Sequence, residues 1–511
     1  MKNTNPPLNR ISAAVLVALA TTLSSHSAQA ASGTWNTATD GIWSDPTLWT
    51  SGIVANGASF TAFFTPPAGG TTTTTTTLDT ARTIGNILRG NSGTALQQSW
   101  TITSPTNVLT IDNGASNAQI INNVNNNSLV TVDTDMALNS NLLLSGSGNN
   151  NARVTLGATV GGHSITGTKN ITFNNSGTAG TGTVTINSNI NTSGGLTNGS
   201  SGNGSGLINV AGVIGANVLG VTSNSTASAN SRIMTLSGAN VYTSATTVTA
   251  GILRAGVASV ANVSGAFGKN SAVTTANAST AILDLAGFNT QIGSITGGGS
   301  LGGNVTLGIG TLTVGGDNTS PAAFAGGISG SGGLTKIGTG TQTLSGVIGY
   351  TGATTVSQGI LLFGAGASVS GTSGITVASG AAIGGGGSVT SSVALASGAK
   401  FVLSLTAPLT VTGVVSLDNT FSIASLVNSN GSAIDWTTVC NGTYTLIANN
   451  SDFSNIQNFG AANADNSLAG GTKSAYYQNG SLQLVVVPEP GTWALFAAGC
   501  TTLVAFRRRK A

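Results

Sequence analysis

One stretch of this chain occurs twice, and it limits the available folds more than any other feature. Residues 234–256 read MTLSGANVYTSATTVTAGILRAG, and residues 342–364 read QTLSGVIGYTGATTVSQGILLFG. Aligned without gaps, 14 of the 23 positions are identical. Repetition of this kind marks an array of stacked units, and 511 residues exceed what one compact core holds. Side chains alternate along a strand, so Val248, Ala250 and Ile252 fall on one face and Thr247, Thr249 and Gly251 on the other. In the second copy Gln358 replaces Ala250, which either points an amide inward or marks a shift of the strand. Gly238 and Gly346 end the preceding strand, and Tyr242 and Tyr350 share a turn position, packed over the corner.

The rest of the chain agrees with an all-β array. Short segments such as NVLTID (107–112), GTVTINSNI (182–190) and GTLTVGG (310–316) alternate apolar and polar residues between Asn/Gly/Ser turns. AYYQNGSLQLVVV (475–487) reads as a hairpin around Asn479 and Gly480. Gly, Thr, Asn and Val are poor helix formers. Charged residues make up 6% against 40% hydrophobic, a balance opposite to that of disordered chains. A run of threonines at 71–77 reads as an exposed β-loop or spacer, and the asparagines at 122–127 as turns that could stack as ladders.

The formal charge of +3 comes from the ends. Between positions 31 and 487 there are 10 basic and 12 acidic residues, and no basic patch that nucleic acid binding would need. The N-terminus has the three parts of an export signal: Lys2 and Arg10, an apolar run at 11–23, and a small-residue cleavage site at Ala28 and Ala30, with Ala31 opening the mature chain. The C-terminus carries Pro488, Glu489 and Pro490, an apolar run at 492–506, and the cluster Arg507, Arg508, Arg509 and Lys510. Apolar run followed by basic cluster is a stop-transfer pattern. At ~1.5 Å per residue this run spans about 23 Å as a helix, short for a ~30 Å hydrocarbon core. The two cysteines, Cys440 and Cys500, do not suggest a disulfide framework.

Catalytic chemistry is sparse. His163 is the one histidine of the mature chain, in GGHSITG, without the context of a nucleophilic triad. Asp133 and Asp135, at i and i+2, share a strand face and are the one candidate for a carboxylate pair or a Ca²⁺ site, against the plainer reading of a solvated face. No cofactor or metal is expected. Trp35, Trp43 and Trp49 cluster near the start of the mature chain. They suit either a glycan-stacking platform or an end cap closing the edge of an array, and the cap is favoured.

Two resemblances organise these observations. TLSGxxxYTxATTVxxGIL resembles the autotransporter-associated β-strand repeat of exported bacterial passenger domains, and LDLAGFNTQIGSITG (283–297) and ISGSGGLTKIGTG (328–340) fit it as well. That resemblance implies a right-handed parallel β-helix, with coils of about 18–22 residues, near twenty of them, and a rod of roughly 90–100 Å. The large membrane barrel that ends an autotransporter has no counterpart among the alternating segments. The segment from Val487 to Ala511 is similar to the PEP-CTERM sorting signal, with Gly491 where serine is common. This implies processing by an exosortase-type enzyme.

The expected organisation is a signal peptide at 1–30, an aromatic N-terminal cap and Thr-rich spacer at 31–100, and a solenoid at 101–400. A C-terminal β cap at 401–487 and the sorting signal at 488–511 follow, the latter with one short transmembrane helix at 492–506. The expected function is a non-catalytic surface or matrix protein of structural or adhesive type, with the exosortase-type enzyme, the membrane and exopolysaccharide as partners. The alternative is a polysaccharide lyase or hydrolase, or a glycan-binding protein, since parallel β-helices also host enzymes.

Overall fold

The structure, a computed structural model, describes residues 29–65, 73–90, 98–124, 128–146, 152–175, 182–201, 206–227, 232–449, 452–479 and 481–489. The chain winds through three faces in a fixed order. One turn runs along Trp100–Thr103 on sheet I, Leu109–Ile111 on sheet II and Ala118–Asn122 on sheet III. The next repeats it with Leu129–Asp133, Met136–Leu138 and Leu142–Gly146. Each strand pairs in parallel with its counterparts in the coils before and after, so the described body is the arrangement of a β-solenoid.

Alternation decides what fills it. On sheet I the register aligns Ile102, Val132, Leu156, Ile186, Val210 and Leu236, all fully buried. Each such side chain contributes roughly 1.5–3 kcal/mol by leaving water. Sheet I carries seventeen described strands, from Gly41–Ile42 to Gly442–Ala448. Sixteen steps of ~4.8 Å give a stack of about 77 Å, shorter than the resemblance implies. The reason is coil length, which is not uniform. Val369 is followed one coil on by Val389, a short step. Ile102 is followed by Val132 and Leu253 by Leu283, and both of those coils consume far more chain.

Both repeat copies form one complete coil, on different faces. The first begins on sheet I (Ile233–Leu236), returns on sheet III (Thr246–Ala250) and closes on sheet I (Ile252–Ala255), where Met234 pairs with Leu253. The second begins on sheet III (Thr341–Leu344), crosses sheet I (Val347–Ile348) and sheet II (Thr354–Val356), and closes on sheet III (Ile360–Phe363). There Gln342 pairs with Leu361, the same two positions of the motif that meet in the first copy. From Met234 the sheet I rungs at Leu253, Leu283, Val305 and Ile328 count four coils, and the second copy starts two faces later.

Several local expectations need correcting. Gln358 is exposed, beyond the end of the strand Thr354–Val356, and Ala250 is only half-buried. In both copies a corner glycine follows the strand, Gly251 at φ +79° directly after Ala250 and Gly359 at φ +67° three residues after Val356, so alternation is interrupted before it can carry this position inward. Thr74–Thr77 is a sheet I strand with Thr74 and Thr76 fully buried, so this part of the threonine run is β but neither an exposed loop nor a spacer. Tyr242 and Tyr350 do not lie over the corner. They are fully buried in it. Gly238 and Gly346 do follow the strand end, where a Cβ would meet the carbonyl of the coil below at 2.3 Å from Gly212 and 2.1 Å from Gly326.

At the C-terminal end parallel pairing stops. Gly442–Ala448 pairs in parallel with Leu409–Val411 but antiparallel with Leu482–Pro488, which forms a hairpin with Lys473–Gln478. Among the described residues no helix is long and apolar enough to cross a membrane. The run at 492–506, the basic cluster Arg507 to Lys510, Pro490 and Ala28 lie outside the described residues.

Candidate functional site

The aromatic cluster is interior. Trp35, Trp43 and Trp49 are 0%, 0% and 2% exposed, with Phe64 and Trp100 packed among them. Ring centroids lie 5.3 Å apart for Trp35–Trp49 and 4.9 Å for Phe64–Trp100. Trp43 Nε1 donates to the Ala55 carbonyl (2.8 Å), Trp49 Nε1 to the Trp43 carbonyl (2.8 Å) and Trp100 Nε1 to Thr76 Oγ1 (3.0 Å). Stacking on a sugar needs an open ring face, and these indoles offer none. The expectation of glycan contact at Trp35, Trp43 and Trp49 is thereby corrected. They fill the first coils instead.

The second candidate gains a member that spacing alone does not reveal. The His163 imidazole stands between Asp133 and Asp135, with Nε2 3.4 Å from Asp133 Oδ1 and Nδ1 3.6 Å from Asp135 Oδ1. Asp133 ends its strand and Asp135 follows the turn at Thr134, so the corner separates the two carboxylates. Both are already used. Asp133 accepts from the Ala158 backbone N–H (2.6 Å), and Asp135 from the N–H (2.8 Å) and hydroxyl (3.2 Å) of Ser164. Each clamps one coil to the next. Among the described residues no group of three or more His, Cys, Asp or Glu is placed to hold a metal ion. The signal that sequence reading misses is the length of the coil here, which sets Ile165 beside Met136 and so lays position 163 over 133 and 135.

The other aspartates are mostly turn formers. Asp45, Asp317, Asp418, Asp435, Asp452 and Asp465 each accept from the N–H of the Thr or Ser at i+2. Hydrogen bonds from Thr47, Thr420 and Thr437 hold Asp45, Asp418 and Asp435 below the usual carboxylate range.

Inside the repeat coils lies a hydroxyl chain. Tyr242 Oη and Thr246 Oγ1 are 2.9 Å apart, Thr246 Oγ1 and Ser271 Oγ 2.9 Å, and Ser271 donates to the Ser244 carbonyl at 2.5 Å. The second copy reproduces it through Tyr350, Thr354 and Thr372 at 2.6 and 3.1 Å, ending on the Gly352 carbonyl at 2.8 Å. Burial pushes both tyrosine hydroxyls far above their ordinary pKa. This chain satisfies buried polar groups, and its members are buried from solvent.

Charged groups are also inside, Arg89 near the N-terminal end and Lys336 beneath the second copy. Lys336, 1% exposed, donates from Nζ to the carbonyls of Ile337 (2.6 Å), Gly338 (2.9 Å) and Gln358 (3.3 Å). Burial brings its pKa down to about 8, against the opposing pull of Asp317. Outside sheet III an open groove of about 310 Å³ lies beside Ile360, Ala382, Lys400 and Val427. Among the described residues no carboxylate lines it, so it lacks the acid pair that glycoside hydrolysis uses.

The sorting residues sit at the end of the hairpin. Pro488 pairs with Lys473, and the Glu489 N–H donates to the Thr472 carbonyl at 3.2 Å. At the other end Ala31 exchanges backbone hydrogen bonds with Asn56 at 2.8 and 3.0 Å.

Fold and repeat together give a parallel β-solenoid that contains two copies of a repeated coil and runs directly into Pro488 and Glu489. Comparison with known proteins is specific about both parts. The chain carries the passenger-associated-transport-repeat at residues 232–255 and 334–363, and the PEP-CTERM protein-sorting motif at residues 486–510. It is also similar to the Adhesin BmaC autotransporter of Brucella suis biovar 1 (strain 1330), 46% identical over 129 residues. That match covers 25% of this chain and 4% of the relative's length. No solved structure matches.

Proposed function

We propose that the chain is an exported, non-catalytic surface rod of adhesive or structural type, whose PEP-CTERM tail hands it to an exosortase-type enzyme. The observation that carries this reading is the direct junction of a passenger-type solenoid to a sorting motif, at Pro488 and Glu489. A named adhesin among its relatives supports the adhesive part. In this reading residues 1–30 are removed after Ala30, the buried tryptophans and the C-terminal hairpin cap a right-handed solenoid, and 492–506 holds the chain in the membrane until the tail is processed. The rod then stands at the cell surface or in the extracellular matrix, where exopolysaccharide is a partner. The non-catalytic part of this reading is supported by the adhesin among its relatives and by the backbone donors that Asp133 and Asp135 already hold beside the one described histidine.

The test is fractionation of native cells with intact-mass measurement of the recovered protein. Surface-exposed protein lacking both termini is expected. Full-length protein in the cytoplasm would overturn the reading, and turnover of a glycan that Asp133→Ala abolishes would overturn its non-catalytic part.

A further inference from the structure

Beyond the second repeat copy the outer face of sheet III becomes apolar. Alternation sends Leu361 and Phe363 into the core and leaves Ile360 and Leu362 outside it. Along the register Ile360 is followed by Ala382 and then Lys400, and Leu362 by Gly384, Val402 and Val427. Ile360, Ala382, Val402 and Val427 form a buried cluster of their own, separate from the interior of the rod. The turn after Val427 stands over them. It is knit internally, with the Asn428 carbonyl accepting from the Gly431 N–H (2.8 Å) and Asn428 Nδ2 donating to the Ala433 carbonyl (2.9 Å). Thr341 Oγ1 ties it back to the repeat by donating to the Ser429 carbonyl at 3.3 Å. The groove of about 310 Å³ lies beneath this turn, a volume at the small end of ligand pockets.

We propose that this groove binds an acidic sugar, a uronate unit of a polysaccharide. Its lining is divided as such a ring requires. Ile360, Ala382 and Val427 supply an apolar surface for the C–H face of a pyranose, and the exposed Thr339, Gln358 and Asn430 supply polar groups for its hydroxyl edge. Among the described residues Lys400 is the one charged side chain of the lining. It stands one coil beyond Ala382 in the same outward column, so an ammonium closes the end of an apolar strip. Of its three donors one is used, on the Ala424 carbonyl at 3.1 Å, and two remain for a carboxylate. Asn430 accepts on Oδ1 from the Ser432 N–H at 3.0 Å, which fixes the side chain while its amide hydrogens stay available for a sugar oxygen. A Cβ on Gly380 would meet nothing within 4 Å, so the groove is open at this corner and a polymer can continue past it. Charge selects the sugar class. With one cation and no carboxylate on the lining, a uronate gains a charge-assisted hydrogen bond that a neutral sugar lacks. This deepens the surface-rod reading, on which it rests for exopolysaccharide as a partner, by naming the kind of sugar held.

The test is equilibrium binding of the full chain, in detergent, to immobilised polygalacturonate, with dextran as the neutral counterpart. Lys400→Gln and Asn430→Ala are the variants, and Lys269→Gln, which removes the same charge from an exposed position on another part of the rod, is the control. Circular dichroism establishes that all are folded. Wild type is expected to retain polygalacturonate and not dextran. Lys400→Gln should weaken retention about tenfold, Asn430→Ala should weaken it less, and the control should bind as wild type does. Wild type that retains neither polymer, or both equally, overturns the proposal. So does Lys400→Gln without effect, or an equal loss in the control, which would mean attraction by overall charge. Capture of poly-glutamate as strong as that of polygalacturonate, and lost in Lys400→Gln, would overturn the sugar assignment in favour of an acidic peptide. Each of these failures leaves the surface-rod reading standing, because that reading is decided by fractionation and intact mass.

Discussion

The two repeat copies are identical at 14 of 23 positions and yet lie on different sides of the rod. The first opens and closes on sheet I, and the second on sheet III. What they have in common is closure. Met234 meets Leu253, Gln342 meets Leu361, and these are the same two positions of the motif. The motif therefore encodes one turn of the solenoid without regard to which face it starts on. The three faces are alike enough for this because each asks the same of a strand, a buried side chain at every second position, most often apolar or hydroxyl and, where it is not, hydrogen-bonded inside as Gln342 and Lys336 are.

That comparison can be broken. The largest effect is expected at the closing leucines, both fully buried. Leu253→Ala and Leu361→Ala should each destabilise by about 2–5 kcal/mol. Urea titration followed by amide exchange of the flanking rungs would check it, and a large difference between the two would mean that face matters. Next come the corner glycines. Gly251→Ala and Gly359→Ala force a Cβ onto positive φ and against carbonyls at 2.6 and 2.3 Å, at a cost of about 1 kcal/mol or more. Equal shifts in urea midpoint are expected.

Smaller still, Tyr242→Phe and Tyr350→Phe remove one hydroxyl from equivalent chains, each with a loss of about 0.5–1.5 kcal/mol. A matched pair of thermal shifts supports equivalence. Lys336 marks a difference, because among the described residues the first copy has no buried lysine beneath it. Its pKa falls from 10.5 to about 8 on folding, so between those values the unfolded chain binds more protons and stability rises with pH. Unfolding midpoints of the wild type should climb across that window relative to Lys336→Met. Parallel curves would show that the ammonium is solvated. Gln358→Ala, at the exposed corner, should change stability by no more than about 0.5 kcal/mol.

Much of the fold is legible because repetition and alternation are local properties. The strands within 182–190, the C-terminal hairpin and the strand ends at Gly238 and Gly346 can all be read that way. What escapes depends on coil length, which is short from Met234 to Leu253 and long from Leu253 to Leu283, and is set by how far each corner loops out. That is why His163 stands isolated in the sequence, though it lies over Asp133 and Asp135 one coil earlier. It is also why alternation offers to point Gln358 inward, since it carries no notice of a corner. The tryptophans mislead in another way. Clustering in sequence is the same for a platform and a plug, and only burial separates them.

The last strand has a mechanical consequence. Leu482–Pro488 completes the terminal hairpin and, without a spacer, becomes the sorting motif. An enzyme that grips Pro488 and Glu489 in extended form must first strip them from Lys473 and Thr472. Access to the first residues of the motif and fraying of the solenoid's end therefore draw on the same few backbone contacts.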